Sequence, residues 1–140
     1  MQVVNNWPPN IAKIKTFAEI FPGVVFTYGN IIYNPFNVEI QSDLMVHEQV
    51  HMNQQGEFPE EWWNRYCRDI DFRLRQEVEA YGEQYLFIKK HVGTKRMKSV
   101  LFKMADALSS ALYGKIIDFQ KAEQLIRTYR RGSIVTNSVL

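Results

Sequence analysis

Ile70, Leu74, Val78, Tyr81, Tyr85, Ile88 and Val92 recur at three- and four-residue steps, and this stripe limits the fold more than any other feature of the chain. Such spacing puts all seven side chains on one face of a helix. The helix expected over residues 66–92 is about 40 Å long at 1.5 Å per residue, so the rest of the chain must pack along it. One acidic residue sits close to the stripe. At about 100° per residue, Glu77 lies about 50° from the stripe's centre, whereas Glu79 lies about 150° away and faces solvent. A carboxylate on the core-facing side needs a compensating cation. Arg73, four residues earlier on the same helix, is one source of that charge. A metal ion is the other.

Residues 47–51 read His47-Glu48-Gln49-Val50-His51, the H-E-x-x-H pattern. Two histidines four apart project from one helix face and can bring two neutral ring nitrogens to one zinc ion. Glu48 then stands beside the ion rather than on it, where it can take a proton from a water and pass it to a leaving amine. Asp43 or Ser42 is placed to cap this helix, and no Gly or Pro falls between Asp43 and Gln55. Apolar Leu44, Met45, Val46, Val50 and Met52 spread around its axis, which predicts burial on several sides. A catalytic zinc site takes a third protein ligand and leaves a fourth position open for water. The histidine that some zinc enzymes carry six residues after the second is Glu57 here, and His91 is the only other histidine, in a Lys/Gly-rich context. Glu77 is therefore the expected third ligand.

These residues resemble the gluzincins, in which two histidines of one helix and a glutamate of a later helix hold zinc. The resemblance is closest to small single-domain zincin-like peptidases of bacteria and phages, with H-E-x-x-H-x-x-Q followed by E-x-E-A-Y. Here those stretches are His47 to Gln54 and Glu77 to Tyr81, and the resemblance covers roughly residues 24 to 90. It implies a zinc-dependent hydrolase of peptide or protein substrates, with one zinc ion on His47, His51 and Glu77 and with Glu48 as general base. Tyr81 stands where many gluzincins carry an aspartate that orients a histidine ligand. A phenol can donate to a ligand or to an oxyanion but cannot accept as a carboxylate does. Tyr81 thus enters as a catalytic candidate, with Tyr85 and His91 as the other possible donors.

Around this site the sequence predicts one domain over residues 1–140, of α+β class, mainly helical, with a small N-terminal antiparallel sheet before the metal helix. Ile11, Ile14, Phe17/Ala18 and Phe21 have helical spacing, and Pro22-Gly23 ends that segment. Val24 to Tyr28, Gly29-Asn30 and Ile31 to Tyr33 read as a tight hairpin, with Phe36 to Ile40 as a third strand. An edge of such a sheet offers backbone groups to an extended peptide, or else the sheet only covers the helix. After the break at Gly56 to Pro59, Trp62 and Trp63 fall in a loop, where they line an apolar specificity pocket or cap the core. Met97, Val100/Leu101, Met104, Leu108 and Ala111/Leu112 mark a further helix, and Phe119, Ala122, Leu125/Ile126 and Tyr129 another.

Composition narrows the function classes. A chain of 140 residues with 46% apolar and 14% aromatic residues can bury a real core. The single cysteine, Cys67, excludes an internal disulfide framework and suits a reducing compartment. The start, Met1 to Asn6, has no basic region followed by a long apolar run, so the expectation is a cytoplasmic protein with no membrane span. Lys89, Lys90, His91, Lys95, Arg96, Lys98 and Lys103 form a basic run, with Arg127, Arg130 and Arg131 as another. They support a rival class, a nucleic-acid-binding or DNA-associated protein. No aromatic interleaving or groove-reading motif accompanies them, and the net charge is only +2, so a solvated face is the simpler account. A third class keeps zinc for structure or assembly; Glu48 argues against it, since structure needs only the ligands.

Overall fold

The computed structural model describes residues 1–132. The chain runs β1 (Gln2–Val4), α1 (Ile11–Ile14), β2 (Phe26–Tyr28), β3 (Ile31–Tyr33), α2 (Ser42–Gln55), α3 (Pro59–Arg68), α4 (Ile70–Val92), α5 (Met97–Leu108), a 3-10 turn (Ala111–Tyr113) and α6 (Phe119–Arg127). This is the expected α+β class, mainly helical with a small sheet near the N-terminus. No helix among the described residues is long and apolar enough to cross a membrane.

The sheet is mixed rather than antiparallel. β2 and β3 form the expected hairpin, and Gly29, at φ +65°, takes the left-handed position that opens its two-residue loop. The third strand is β1, which pairs parallel to β3 in the register Gln2↔Ile31 to Val4↔Tyr33, giving the order β1-β3-β2. Phe36 to Ile40 form no strand. The buried side chain of Asn34 takes both backbone groups of Val38, donating to its carbonyl at 2.8 Å and accepting from its amide at 3.1 Å. That curls residues 34–38 into a turn, with Asn37 at φ +52°, and leaves no extended segment to pair.

The helices differ from expectation mainly at their ends. α1 is one turn long, and Phe17 and Ala18 follow in hydrogen-bonded turns. Gln41, without a side-chain bond, occupies the cap position of α2, and Asp43 spends its carboxylate on Gln84 instead. Trp62 and Trp63 lie on a helix, α3, not in a loop: Pro59 opens it and Glu60 and Glu61 sit in its first turn, where the helix dipole favours them. Residues 66–68 belong to α3, because Asp69 starts α4 by accepting from the Phe72 amide at 3.0 Å. The stripe of α4 is buried at Leu74, Val78, Tyr81 and Ile88, while Ile70 and Val92 at its ends are each 54% exposed.

Two apolar clusters flank the middle of the molecule. One joins α4, α5, α6 and the 3-10 turn through Leu74, Val78, Leu101, Leu108 and Ile126. The other joins α1, β2 and α3 through Ile14, Phe26, Trp62, Trp63 and Tyr66. α2 packs on α4, β2 and α3. Its fully buried residues are His47, Glu48, His51 and Gln55, while Leu44, Met45, Val46, Val50 and Met52 are only half-buried. A helix that turns its polar face inward is the reverse of the usual amphipathic arrangement. Its reason lies in the site.

The contact between α4 and the end of α6 depends on a glycine. A Cβ on Gly82 would lie 2.2 Å from Cγ of Tyr129, whose hydroxyl donates to Glu83 at 2.8 Å. Alanine in place of a helical glycine ordinarily gains up to about 1 kcal/mol of helix propensity. Here Tyr129 must leave its seat, and overpacking of that kind costs about 1–3 kcal/mol. Gly82→Ala is therefore expected to destabilise the protein in urea unfolding, and an unchanged or raised midpoint would count against this packing.

Candidate metal centre

Two ring nitrogens and one carboxylate converge from two helices. His47 and His51 come from adjacent turns of α2 and Glu77 from α4, and they are 3%, 7% and 2% exposed. His47 Nε2 lies 3.1 Å from His51 Nε2 and 3.2 Å from Glu77 Oε1, and His51 Nε2 lies 3.1 Å from Glu77 Oε2. Together the three residues form a group that can hold a metal ion. The helix phase read from the sequence holds: Glu77 is buried and Glu79 exposed. The alternative partner does not form. Arg73 donates to the carbonyls of Tyr66 at 2.7 Å and Cys67 at 3.2 Å, with its guanidinium 4.0 Å from the centre of the Phe17 ring.

The residues behind the histidines fix their protonation. His47 Nδ1 is 2.9 Å from Gln84 Oε1, and the Gln84 Nε2 donates to the Asp43 carboxylate at 2.7 Å. A carboxylate only accepts, so the amide must present its oxygen to His47, and Nδ1 must carry the proton. His51 repeats the logic. Its Nδ1 is 2.9 Å from Gln54 Oε1, and Gln54 Nε2 donates to the Gln76 carbonyl and to Glu79, both at 3.0 Å. With both Nδ1 atoms donating away from the site, both Nε2 atoms face the Glu77 carboxylate. Such hydrogen bonds set the tautomer and orientation of metal-binding histidines.

Glu77 is held too. The Tyr66 hydroxyl donates to Oε2 at 2.6 Å, whereas Oε1 is buried without a hydrogen-bond partner. An orphaned buried oxygen of an ionised group is costly. A proton can bridge two of these atoms but not all three, whereas a metal ion can engage the whole set. The residues fit a metal on this observation. Burial works against a charge on Glu77, yet the neighbouring imidazoles outweigh it and hold its carboxyl well below the usual carboxylate range. Burial likewise opposes a charge on His51, but Glu77 prevails and its pKa rises to about 9.

Glu48 is 4% exposed and stands apart from the three. Its Oε1 accepts from the Thr27 hydroxyl at 2.9 Å, and its Oε2 is 3.8 Å from His47 Nε2. Burial raises its pKa against the pull of both imidazoles. Tyr81 packs its ring on His47, with ring centres 4.4 Å apart, and shares a 2.8 Å hydrogen bond with the Tyr113 hydroxyl. Tyr113, not Tyr81, lines the cavity beside the triad. Tyr85 is half-buried against the α4–α6 core, and His91 is exposed with its Nδ1 on the Phe87 carbonyl, about 21 Å along the helix from Glu77.

That cavity has a volume of about 60 Å³, room for roughly two waters. Thr27, Trp62, Tyr66 and Tyr113 form part of its wall, and Phe17 and Val24 line it from the segment that follows α1. Trp62 and Trp63 pack the core and also line this cavity. Sequence reasoning missed the roles of Gln84, Asp43, Thr27 and Tyr66. A signal existed for Gln84, which stands seven residues after Glu77 and so on the same helix face. Nothing in the sequence tied Tyr66 to Glu77. No family model matches the chain, and no curated protein or solved structure matches it.

The triad implies opposite pH responses with and without metal. The folded pKa of His51, about 9, lies above the ordinary 6.5, so its ion pair stabilises fully below pH 6.5 and fades as pH rises through 9. The depressed pKa of Glu77 gives stability that persists above its ordinary 4.5 and fails on acidification. Chelator-treated protein should therefore lose melting temperature between pH 6.5 and 9. A metal needs the neutral imidazoles, so the stabilisation by added metal should grow over the same range. Melting curves across that range, with and without metal, check both slopes.

Proposed function

We propose that the chain is a zinc-dependent hydrolase, a gluzincin-like peptidase that cleaves peptide or related amide bonds. The observation that carries this reading is a buried glutamate beside the three-atom site that takes no part in it. The ligand distances suit zinc. Bonds of 2.0–2.1 Å in a tetrahedral arrangement put ligand atoms about 3.3 Å apart, close to the 3.1 Å between the two Nε2 atoms and to the 3.1–3.2 Å from each of them to one oxygen of Glu77. Two imidazoles, one carboxylate and a position open to water form the donor set of a catalytic rather than a structural zinc site. When bound, zinc supplies Lewis acidity, polarising the scissile carbonyl and making water acidic enough to deprotonate near neutral pH.

The protein's own groups do the rest. Thr27 pins one oxygen of Glu48, which leaves Oε2 on the side of the triad to accept a proton from the attacking water and return it to the leaving amine. Burial raises the affinity of Glu48 for that proton, as a general base working near neutral pH requires. Tyr81 braces His47, and Tyr113, whose hydroxyl it shares, is the phenol on the cavity side where an oxyanion would need a donor.

Substrate approach follows from what occupies the sheet edge. The Thr27 carbonyl on the outer edge of β2 accepts from Gln55 Nε2 at 2.8 Å and Trp63 Nε1 at 3.0 Å. A peptide cannot pair there as it would on an open strand. The strap of residues 15–25, held by the Phe17 contact with Arg73 and by the Glu19 amide on the Ala111 carbonyl at 3.0 Å, puts Phe17, Val24 and Val25 on the cavity wall instead.

Glu48→Gln keeps the Thr27 hydrogen bond but removes the base. The variant should bind one zinc per chain like the wild type and cleave its peptide substrates about 10²–10⁴-fold more slowly. Metal analysis together with mass spectrometry of a digested peptide library measures both. Equal cleavage by the two proteins would remove Glu48 from the reaction. Metal-loaded wild type that cleaves no peptide would remove the peptidase reading.

A further inference from the structure

The two oxygens of Glu77 are not equivalent. Both face the histidines, Oε1 at 3.2 Å from His47 Nε2 and Oε2 at 3.1 Å from His51 Nε2, but Oε2 also accepts the Tyr66 hydroxyl at 2.6 Å, whereas Oε1 has no hydrogen-bond partner. Tyr66 reaches across from α3 and is itself held on several sides. Its ring stacks on Trp62 at 4.8 Å and 25°, meets Trp63 edge-on at 5.0 Å, and its carbonyl accepts Arg73 Nη1 at 2.7 Å. Such a side chain has one orientation available and donates one proton.

We propose that Tyr66 is a positioning residue that occupies one oxygen of Glu77 so that only the other is offered to the ion. A glutamate with both oxygens free can chelate through both and take the coordination position a reacting water requires. With its Oε2 engaged by Tyr66, Glu77 binds through Oε1 alone, and that position stays open. The proposal rests on the metal reading above, but not on peptide cleavage.

The test compares Tyr66→Phe with wild type and with Tyr113→Phe. Tyr66→Phe keeps the ring and its stack on Trp62, and removes only the hydroxyl. Tyr113→Phe deletes a phenol of the same cavity whose partner is Tyr81, not Glu77. Zinc affinity is measured by competition with a chelating dye, and coordination by the visible spectrum of the cobalt-substituted proteins. Wild type and Tyr113→Phe should give the intense bands of four-coordinate cobalt and matching zinc affinities. Tyr66→Phe should bind zinc about 10–100-fold more weakly and show the fainter bands of a five-coordinate ion. A purely structural role for Tyr66 would lower the melting temperature and leave the cobalt bands in place, and that result overturns the proposal. Equal affinity and equal spectra for Tyr66→Phe overturn it too. A wild type that takes up neither zinc nor cobalt overturns the metal reading itself, which the other outcomes leave standing.

Discussion

Two imidazole Nε2 atoms and a carboxylate brought together, with both Nδ1 protons committed elsewhere, form the constraint on which the rest of this structure depends. Two imidazole lone pairs and a carboxylate repel one another at 3.1–3.2 Å unless a cation stands between them. Holding them there requires rigid backing. The amides of Gln54 and Gln84 grip the histidines from behind, and Glu79 and Asp43 anchor the amides. Each chain thus runs from histidine to carboxylate through a neutral amide. The inward polar face of α2 follows in part from this demand, since the helix gives up apolar burial to turn His47, His51 and Glu48 inward, while Gln55 serves the β2–β3 hairpin.

α4 answers α2 along its whole length. Glu77, Tyr81 and Gln84, at steps of four and three, supply a ligand, a ring against His47 and an amide behind it. On the neighbouring flank Gly82 and Glu83 receive Tyr129 and Arg131. The α6 cluster and the metal site are therefore built on the same two turns of helix. The second cluster closes the opposite side, where aromatic rings from α3 and the strap leave only a small cavity in front of the ligands.

Much of this was legible in the sequence because it is local. The spacing of His47 and His51 depends only on helical pitch, and the burial of Glu77 against the exposure of Glu79 only on its phase within the stripe. The hairpin followed from Gly29-Asn30 between two apolar runs. What the sequence hid is non-local. β1 pairs with a strand nearly thirty residues later, and no pattern within three residues can announce such a partner. Phe36 to Ile40 alternate as a strand would, but one asparagine side chain captured the backbone first. The hydroxyl of Tyr66 meets Glu77 only because α3 crosses α4 at that height. The tryptophans looked like loop residues until Pro59 was recognised as the first residue of a helix rather than a break.

The position of Glu77, 26 residues after His51, has one more consequence. An ion joining the two closes a loop that contains all of α3, including the aromatic wall of the cavity. In its effect on the unfolded chain, such a link acts as a disulfide does, and chain-entropy arithmetic for a loop of this length gives about 3.5 kcal/mol. The protein has one cysteine and cannot make that link from sulfur. A bound metal would serve as its removable cross-link, tying α2 to α4 across the loop.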